Sequence, residues 1–224
     1  MLQLVGLGAR QHLSSWKGAK MRDYCWDFDG TLYQTYPVMV KVFKETLQDY
    51  GIEVNAQAVY LRMRRSSLGQ TFAFYTNDLP TTTQAKIVQD YRQREQQAQK
   101  DEHPFSGARE VCKQVVARGG RNFLLTHRDH SAWQLLVRDQ LAEFFSGAVT
   151  GDAHFPRKPN PASLNYLCTK FGIIRTEAVM VGDRPLDVEA GRRAGMQGYL
   201  FDPDQTIIAK IECDRRISEL KAAL

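Results

Sequence analysis

Five short apolar runs recur along the chain, and each stops at a polar or glycine-containing segment. They are Tyr24-Cys25-Trp26 before Asp27, Phe123-Leu124-Leu125 before Thr126, Ala148-Val149 before Thr150-Gly151, Ala178-Val179-Met180-Val181 before Gly182-Asp183, and Tyr199-Leu200-Phe201 before Asp202. Runs this short and this continuously apolar predict β-strands covered on both faces. Helical spacing fills the intervals. Val111, Val115 and Val116 follow a cap expected at Ser106 and stop at Gly119-Gly120; Trp133, Leu136 and Leu141 form the next face; Leu164, Leu167 and Phe171 end at Gly172. Strand and helix in alternation predict an α/β fold with a parallel, doubly wound, Rossmann-like sheet. Ligands of such sheets bind beyond the carboxyl ends of the strands, where the Asp and Thr endings would collect.

Residues 34–103 break this rhythm. Val40, Phe43, Leu47 and Tyr50 repeat at helical spacing before Gly51, a second helix is expected from near Asn55, and a third from about Thr83 with Ile87 and Tyr91 on its inner face. Five glutamines of that third helix, Gln89, Gln93, Gln96, Gln97 and Gln99, are expected to face mostly water. The pattern predicts a small all-helical domain over 34–103, inserted after the first strand of a core formed by 21–33 and 104–224. A final helix is expected to carry Ile207, Ile208, Ile211, Ile217 and Leu220. Residues 1–20 show no convincing period and are expected to be a dispensable leader ahead of Met21.

Composition narrows the class. At 224 residues, 43% hydrophobic and 25% charged, the chain can bury one compact core plus a small insert. No stretch approaches the roughly 18 to 20 uninterrupted apolar residues of a membrane span. Met1 to Leu7 lacks the basic segment and cleavage site of a secretory signal, although an acid-poor leader containing arginine also fits a transit peptide. The net charge of +5 invites a nucleic-acid reading. Arg10, Lys17, Lys20 and Arg22 carry +4 of it with no acidic residue among positions 1–22, so the body is nearly neutral and no nucleic-acid partner is expected. Cys25, Cys112, Cys168 and Cys213 lie far apart, as reduced core thiols of a cytoplasmic protein would.

The candidate chemistry sits at the strand ends. Asp27 and Asp29 stand two apart, with Gly30 allowing a sharp turn before Thr31. Two close carboxylates can divide nucleophile and general-acid roles or bind Mg²⁺, and an Asp-Gly turn is the plain alternative. Thr126, Lys158-Pro159 and Gly182-Asp183-Arg184-Pro185-Leu186-Asp187 each have an equally plain reading, as helix caps or a solvated loop charge. Together, in this order and each at or just beyond a core strand end, they point to one site.

These segments resemble the four motifs of the haloacid dehalogenase superfamily: Asp27-Phe28-Asp29-Gly30-Thr31-Leu32, Thr126, Lys158-Pro159-Asn160-Pro161, and Val181-Gly182-Asp183 through Asp187. The helical insert resembles the cap of the phosphoglycolate phosphatase-like and β-phosphoglucomutase-like branch. The resemblance spans roughly residues 22–203. It implies a Mg²⁺-dependent phosphatase acting on a small phosphorylated metabolite, as a monomer or homodimer. By the same resemblance Asp27 is the nucleophile that forms an aspartyl-phosphate, and Asp29 protonates the leaving oxygen and later activates water. Thr126 and Lys158 bind phosphoryl oxygens. The Asp27 carboxylate, the Asp29 backbone carbonyl and the Asp183 carboxylate hold the metal, with Asp187 behind them orienting Lys158 or a metal water.

Asp29 argues for phosphate esters, because a departing halide needs no proton. Gly30, Thr31, His127 and Arg128 are further candidates for binding substrate. Arg65, in the most basic run of the insert, is a candidate for an anionic substrate tail, whereas Arg62 and Arg64 are expected on a solvated helix face. Two alternatives remain open at this level: a phosphosugar mutase, which passes the phosphoryl group to a second hydroxyl, and an inactive phosphate-binding regulator.

Overall fold

The computed structural model describes residues 22–208 and 210–224, so the expected leader lies outside the described residues. The chain order is β1 (Asp23–Trp26), α1 (Tyr36–Gln48), α2 (Ala56–Arg65), α3 (Leu68–Thr76), α4 (Thr81–Ala98), α5 (Ala108–Ala117), β2 (Asn122–Leu125), α6 (Ser131–Arg138), β3 (Phe145–Val149), α7 (Ala162–Phe171), β4 (Ala178–Gly182), α8 (Pro185–Arg193), β5 (Gln197–Phe201) and β6 (Arg215–Ile217). The six strands form one parallel sheet in the order β3-β2-β1-β4-β5-β6.

Strand periodicity of two explains how this sheet is covered on both sides. Tyr24 and Trp26 face one layer, with Leu124, Val179 and Val181, against Val111 of α5 and Leu135 and Leu136 of α6. Cys25 faces the other, with Phe123, Leu125 and Met180, against Leu164 and Leu167 of α7 and Ala190 of α8. Both layers are apolar, so the inner strands are buried nearly end to end and only the edge strands β3 and β6 show exposed positions. This is the α/β architecture that the apolar runs predict.

One polar group is built into that core. Asn122 is fully buried, accepts from Trp26 Nε1 at 2.9 Å and donates to the carbonyls of Cys112 at 2.9 Å and Phe144 at 3.1 Å. Removing the amide leaves the buried Trp26 N–H without a partner and takes one hydrogen bond from each of the two carbonyls. Asn122→Ala is expected to destabilise the protein by about 3 kcal/mol, read from chemical denaturation. A change below ~1 kcal/mol would mean that water replaces the amide.

Helices α1 to α4 share an apolar cluster of their own, in which Phe43 meets Phe72 at 4.7 Å between ring centroids and packs against Tyr91. They follow the first strand, where the small helical domain is expected, with four helices where the periodicity indicated three. The additional one, α3, is started by Ser67, whose side chain accepts from Gln70 N. Asn55 caps α2 as expected, accepting from Ala58 N. Gln89, Gln93, Gln96 and Gln97 of α4 are exposed, and Gln99, in the short turn just after the helix, is half-buried. The two passages between cap and core lie side by side: Gln34 N donates to His103 O at 2.9 Å and Phe105 N to Leu32 O at 2.8 Å.

Several boundaries differ from expectation. Gly107, not Ser106, precedes α5, and no side chain caps that helix. α6 ends at Arg138, so Leu141 is buried beyond it, at the start of a short 3₁₀ turn. Among the described residues, 202–208 and 210–214 form no helix. Ile207 packs on Val188 and Leu200, Ile208 is exposed, and Ile217 belongs to β6, while Leu220 opens a closing 3₁₀ turn. An open edge at β5 gains more from strand pairing than these isoleucines would from a marginal isolated helix. Cys25, Cys112 and Cys168 are buried free thiols, as expected, and Cys213 is half-buried. Among the described residues, no helix is long and apolar enough to cross a membrane.

Candidate active site

β1 is central in the sheet, and its backbone register continues one step past the strand, with Asp27 N donating to Val181 O at 2.9 Å. Alternation then places Asp27 outside the core and Phe28 inside it, stacked on Tyr33 at 4.3 Å. The turn closes on Phe28 O, which accepts from the amides of Thr31, Leu32 and Tyr33. Gly30 makes this possible: its φ is +74°, and a Cβ there would lie 2.3 Å from the Tyr36 ring and 2.6 Å from Asp183 Oδ2. Thr31 is fully buried with no hydrogen bond at its hydroxyl.

Four loops converge on Asp27. Lys158 Nζ lies 2.6 Å from Asp27 Oδ1 and 2.6 Å from Asp187 Oδ1, and it donates to Leu125 O at 3.2 Å. Asp187 is also the third residue of α8, where its Oδ2 accepts from Arg184 N at 3.1 Å, so it caps the helix and holds the lysine at once. Gly182 permits that approach, because a Cβ there would sit 2.2 Å from Asp187 Cβ. Thr126 is buried at the end of β2, and its hydroxyl accepts from Arg128 N at 3.0 Å. His127 supports Lys158 from behind, its Nε2 accepting from the Lys158 backbone N–H at 2.9 Å. Burial and the nearby Lys158 and Arg157 charges lower His127 to about 2, so the ring stays a neutral acceptor.

Oxygen atoms of Asp27, Asp183 and Asp187 lie within 4.8 Å of one another. Burial pushes the Asp27 and Asp183 carboxyls above the usual carboxylate range, despite the opposing charges of Lys158 and Arg184. Asp27 Oδ2 and Asp183 Oδ1 are buried with no hydrogen-bond partner. Two unpartnered anionic oxygens in a dry site are what a hard divalent cation satisfies.

Three residues that sequence reasoning left out complete the surroundings. Tyr36, at the start of α1, donates from its hydroxyl to Asp183 Oδ2 at 2.8 Å. Arg184 brings its Nε to 3.9 Å from both Asp183 Oδ1 and Asp187 Oδ2. Arg64, only 2% exposed, reverses the expectation of a solvated helix face. From α2 it reaches across to the core, 3.5 Å from Asp183 Oδ2 and 3.1 Å from Asp202 Oδ1, and it also pairs with Asp204. Its Nη2 donates to the carbonyls of Asp183 and Phe201. A cation can be buried here because each of its faces meets a carboxylate or a carbonyl.

Arg62 lies over the Phe74 ring at 3.3 Å. Arg65 is exposed and donates to Thr206 O at 3.1 Å, which ties it to a core loop rather than to the carboxylate cluster. Arg128 is bound to Asp29, Glu95 and Glu102. Burial pushes Glu102 up to about 8 even beside that guanidinium.

Comparisons with known proteins bear on the family and the fold. Residues 24–201 match the sequence profile of the haloacid dehalogenase-like hydrolases. A phosphoglycolate phosphatase from Rhodospirillum rubrum is 28% identical over 193 residues, covering 79% of this chain and 80% of its own. A hydrolase from Streptococcus pneumoniae is 32% identical, with a TM-score of 0.62 over 82% of this chain and 94% of its own. A second hydrolase from that species, a haloacid dehalogenase-like family protein, superimposes with a TM-score of 0.77 at 16% identity, covering 91% and 97%.

Proposed function

Because the chain belongs to the haloacid dehalogenase-like hydrolase family, we propose that it is a Mg²⁺-dependent phosphatase that transfers the phosphoryl group of a small phosphate monoester to Asp27 and then to water. The observation that carries this reading is a buried carboxylate at the end of the central strand, with an ammonium 2.6 Å from one oxygen and its other oxygen unpartnered. Asp29, half-buried and two residues on, supplies the proton that an alkoxide leaving group needs. Names of relatives point to 2-phosphoglycolate or a compound of similar size as the substrate.

The residues divide the work as follows. Asp27 attacks phosphorus in line with the ester oxygen, forming the new P–O bond as the old one breaks. Lys158, fixed by Asp187 and by the His127 contact to its backbone, neutralises phosphoryl oxygens, and Thr126 binds another. Asp29 gives its proton to the departing oxygen, then accepts one from the water that cleaves the phospho-aspartate. Asp27 Oδ2, Asp183 Oδ1 and the Asp29 carbonyl would hold Mg²⁺. When bound, the cation supplies the positive charge that lets an anionic nucleophile approach an anionic ester.

The test is release of inorganic phosphate by the purified chain from 2-phosphoglycolate, sugar phosphates, nucleotides and p-nitrophenyl phosphate. We expect at least one alkyl ester to be hydrolysed with MgCl₂ and release to stop with EDTA. Isomerised sugar phosphate with little free phosphate would replace the hydrolase with the mutase reading. No turnover of any ester would remove both.

A further inference from the structure

Arg128 lies two residues beyond Thr126, and its guanidinium meets three carboxylates. Nε and Nη2 lie 3.1 and 2.9 Å from Asp29 Oδ1, Nη2 is 2.9 Å from Glu95 Oε1, and Glu102 is held at both oxygens, at 2.9 and 3.0 Å. The Arg128 and Glu102 side chains are 8% and 0% exposed. The pair with Glu102 is weakly screened and anchors the guanidinium, while the Asp29 and Glu95 side chains are 22% and 17% exposed. Its lower face is closed by the Phe28 ring, 5.5 Å away.

The three carboxylates come from three different places. Asp29 belongs to the loop after β1, Glu95 to the last turn of the cap helix α4, and Glu102 to the segment that returns from cap to core. Both contacts to Asp29 fall on the same oxygen, Oδ1. Two contacts on one oxygen restrain the rotation of the carboxyl group, and Oδ2 is the oxygen that the guanidinium does not engage.

Resting on the phosphatase reading above, we propose that Arg128 is a positioning residue that aims Asp29 at the leaving oxygen, and that Glu95 makes this depend on a seated cap. Substrate would then meet a competent proton donor only once α4 is in place. The consequence is chemical selectivity. An alkyl phosphate leaves as a basic alkoxide and needs the proton, whereas p-nitrophenolate departs without one.

The experiment compares kcat/KM, which reports the steps through departure of the leaving group, for 2-phosphoglycolate (or the fastest alkyl ester of the panel) and for p-nitrophenyl phosphate. Arg128→Ala is expected to lower the alkyl value about 100-fold and the aryl value less than about fivefold, the pattern of Asp29→Asn. Arg128→Lys, which keeps the charge and loses the planar fork, falls between. Glu95→Gln is expected to show the same bias at about tenfold. An equal loss on both esters, or no loss on the alkyl ester, overturns the proposal. Should Arg128→Ala not fold, Glu95→Gln decides by the same ratio. If the wild-type chain hydrolyses neither ester, the phosphatase reading fails first and takes the proposal with it.

Discussion

Replacing Asp27 by Asn should lower phosphate release by about 10⁴-fold or more while leaving the fold intact. The amide keeps the shape of the carboxylate but cannot carry a phosphoryl group. Thermodynamically the change should be favourable without metal. Burial raises the Asp27 carboxyl above its unfolded value, so its ionised form destabilises the folded state once pH exceeds that unfolded value, near 4. In EDTA at pH 7 the Asn variant is expected to melt at or above the wild-type temperature, with the gain shrinking as pH falls toward ~4. Lys158 would still be paired with Asp187 at 2.6 Å. Turnover persisting within about tenfold of wild type would remove Asp27 as the nucleophile.

The second large effect concerns Arg64. Arg64→Met keeps most of the volume and deletes the charge, leaving Asp183 and Asp202 buried beside an apolar tip. Loss of one partner from a buried ionic cluster costs about 3 to 5 kcal/mol. Arg216 continues to pair with Asp202, so most of the cost falls on Asp183. Denaturation in EDTA should register this loss, and added MgCl₂ should recover part of it by supplying a replacement cation. A loss under ~1 kcal/mol in EDTA would show that the Arg64 cluster contributes little to stability.

The strand ends were legible because a doubly covered sheet demands short, wholly apolar strands, and a polar residue after such a run has one direction to go. That logic located Asp27, Thr126 and Asp183 without any knowledge of contacts. It failed where a residue's meaning depends on remote partners. Arg64 stands between Arg62 and Arg65 and reads as part of a solvated basic face, while its carbonyl and carboxylate partners are 119 to 140 residues away in sequence. Tyr36 gives no local sign that its hydroxyl ends on Asp183. Helix α3 was obscured by Gly69, a weak helix former, and the tail isoleucines imitate a helical period that the open edge of β5 overrides. Arg184 lay in plain view inside a recognised motif, with no role assigned to it.

The place of β1 in the sheet also bears on how the protein is made. Asp23–Trp26 pairs with β2 from Asn122 and with β4 from Ala178, so the strand bearing the nucleophile emerges from the ribosome long before either neighbour. Its most apolar segment must wait unpaired while the cap, whose apolar cluster lies within residues 36–98, collapses on nearby contacts. A chain arrested before β4 would hold helices but no assembled carboxylate cluster. During synthesis, Tyr24-Cys25-Trp26 is thus the segment most in need of shelter from other nascent strands.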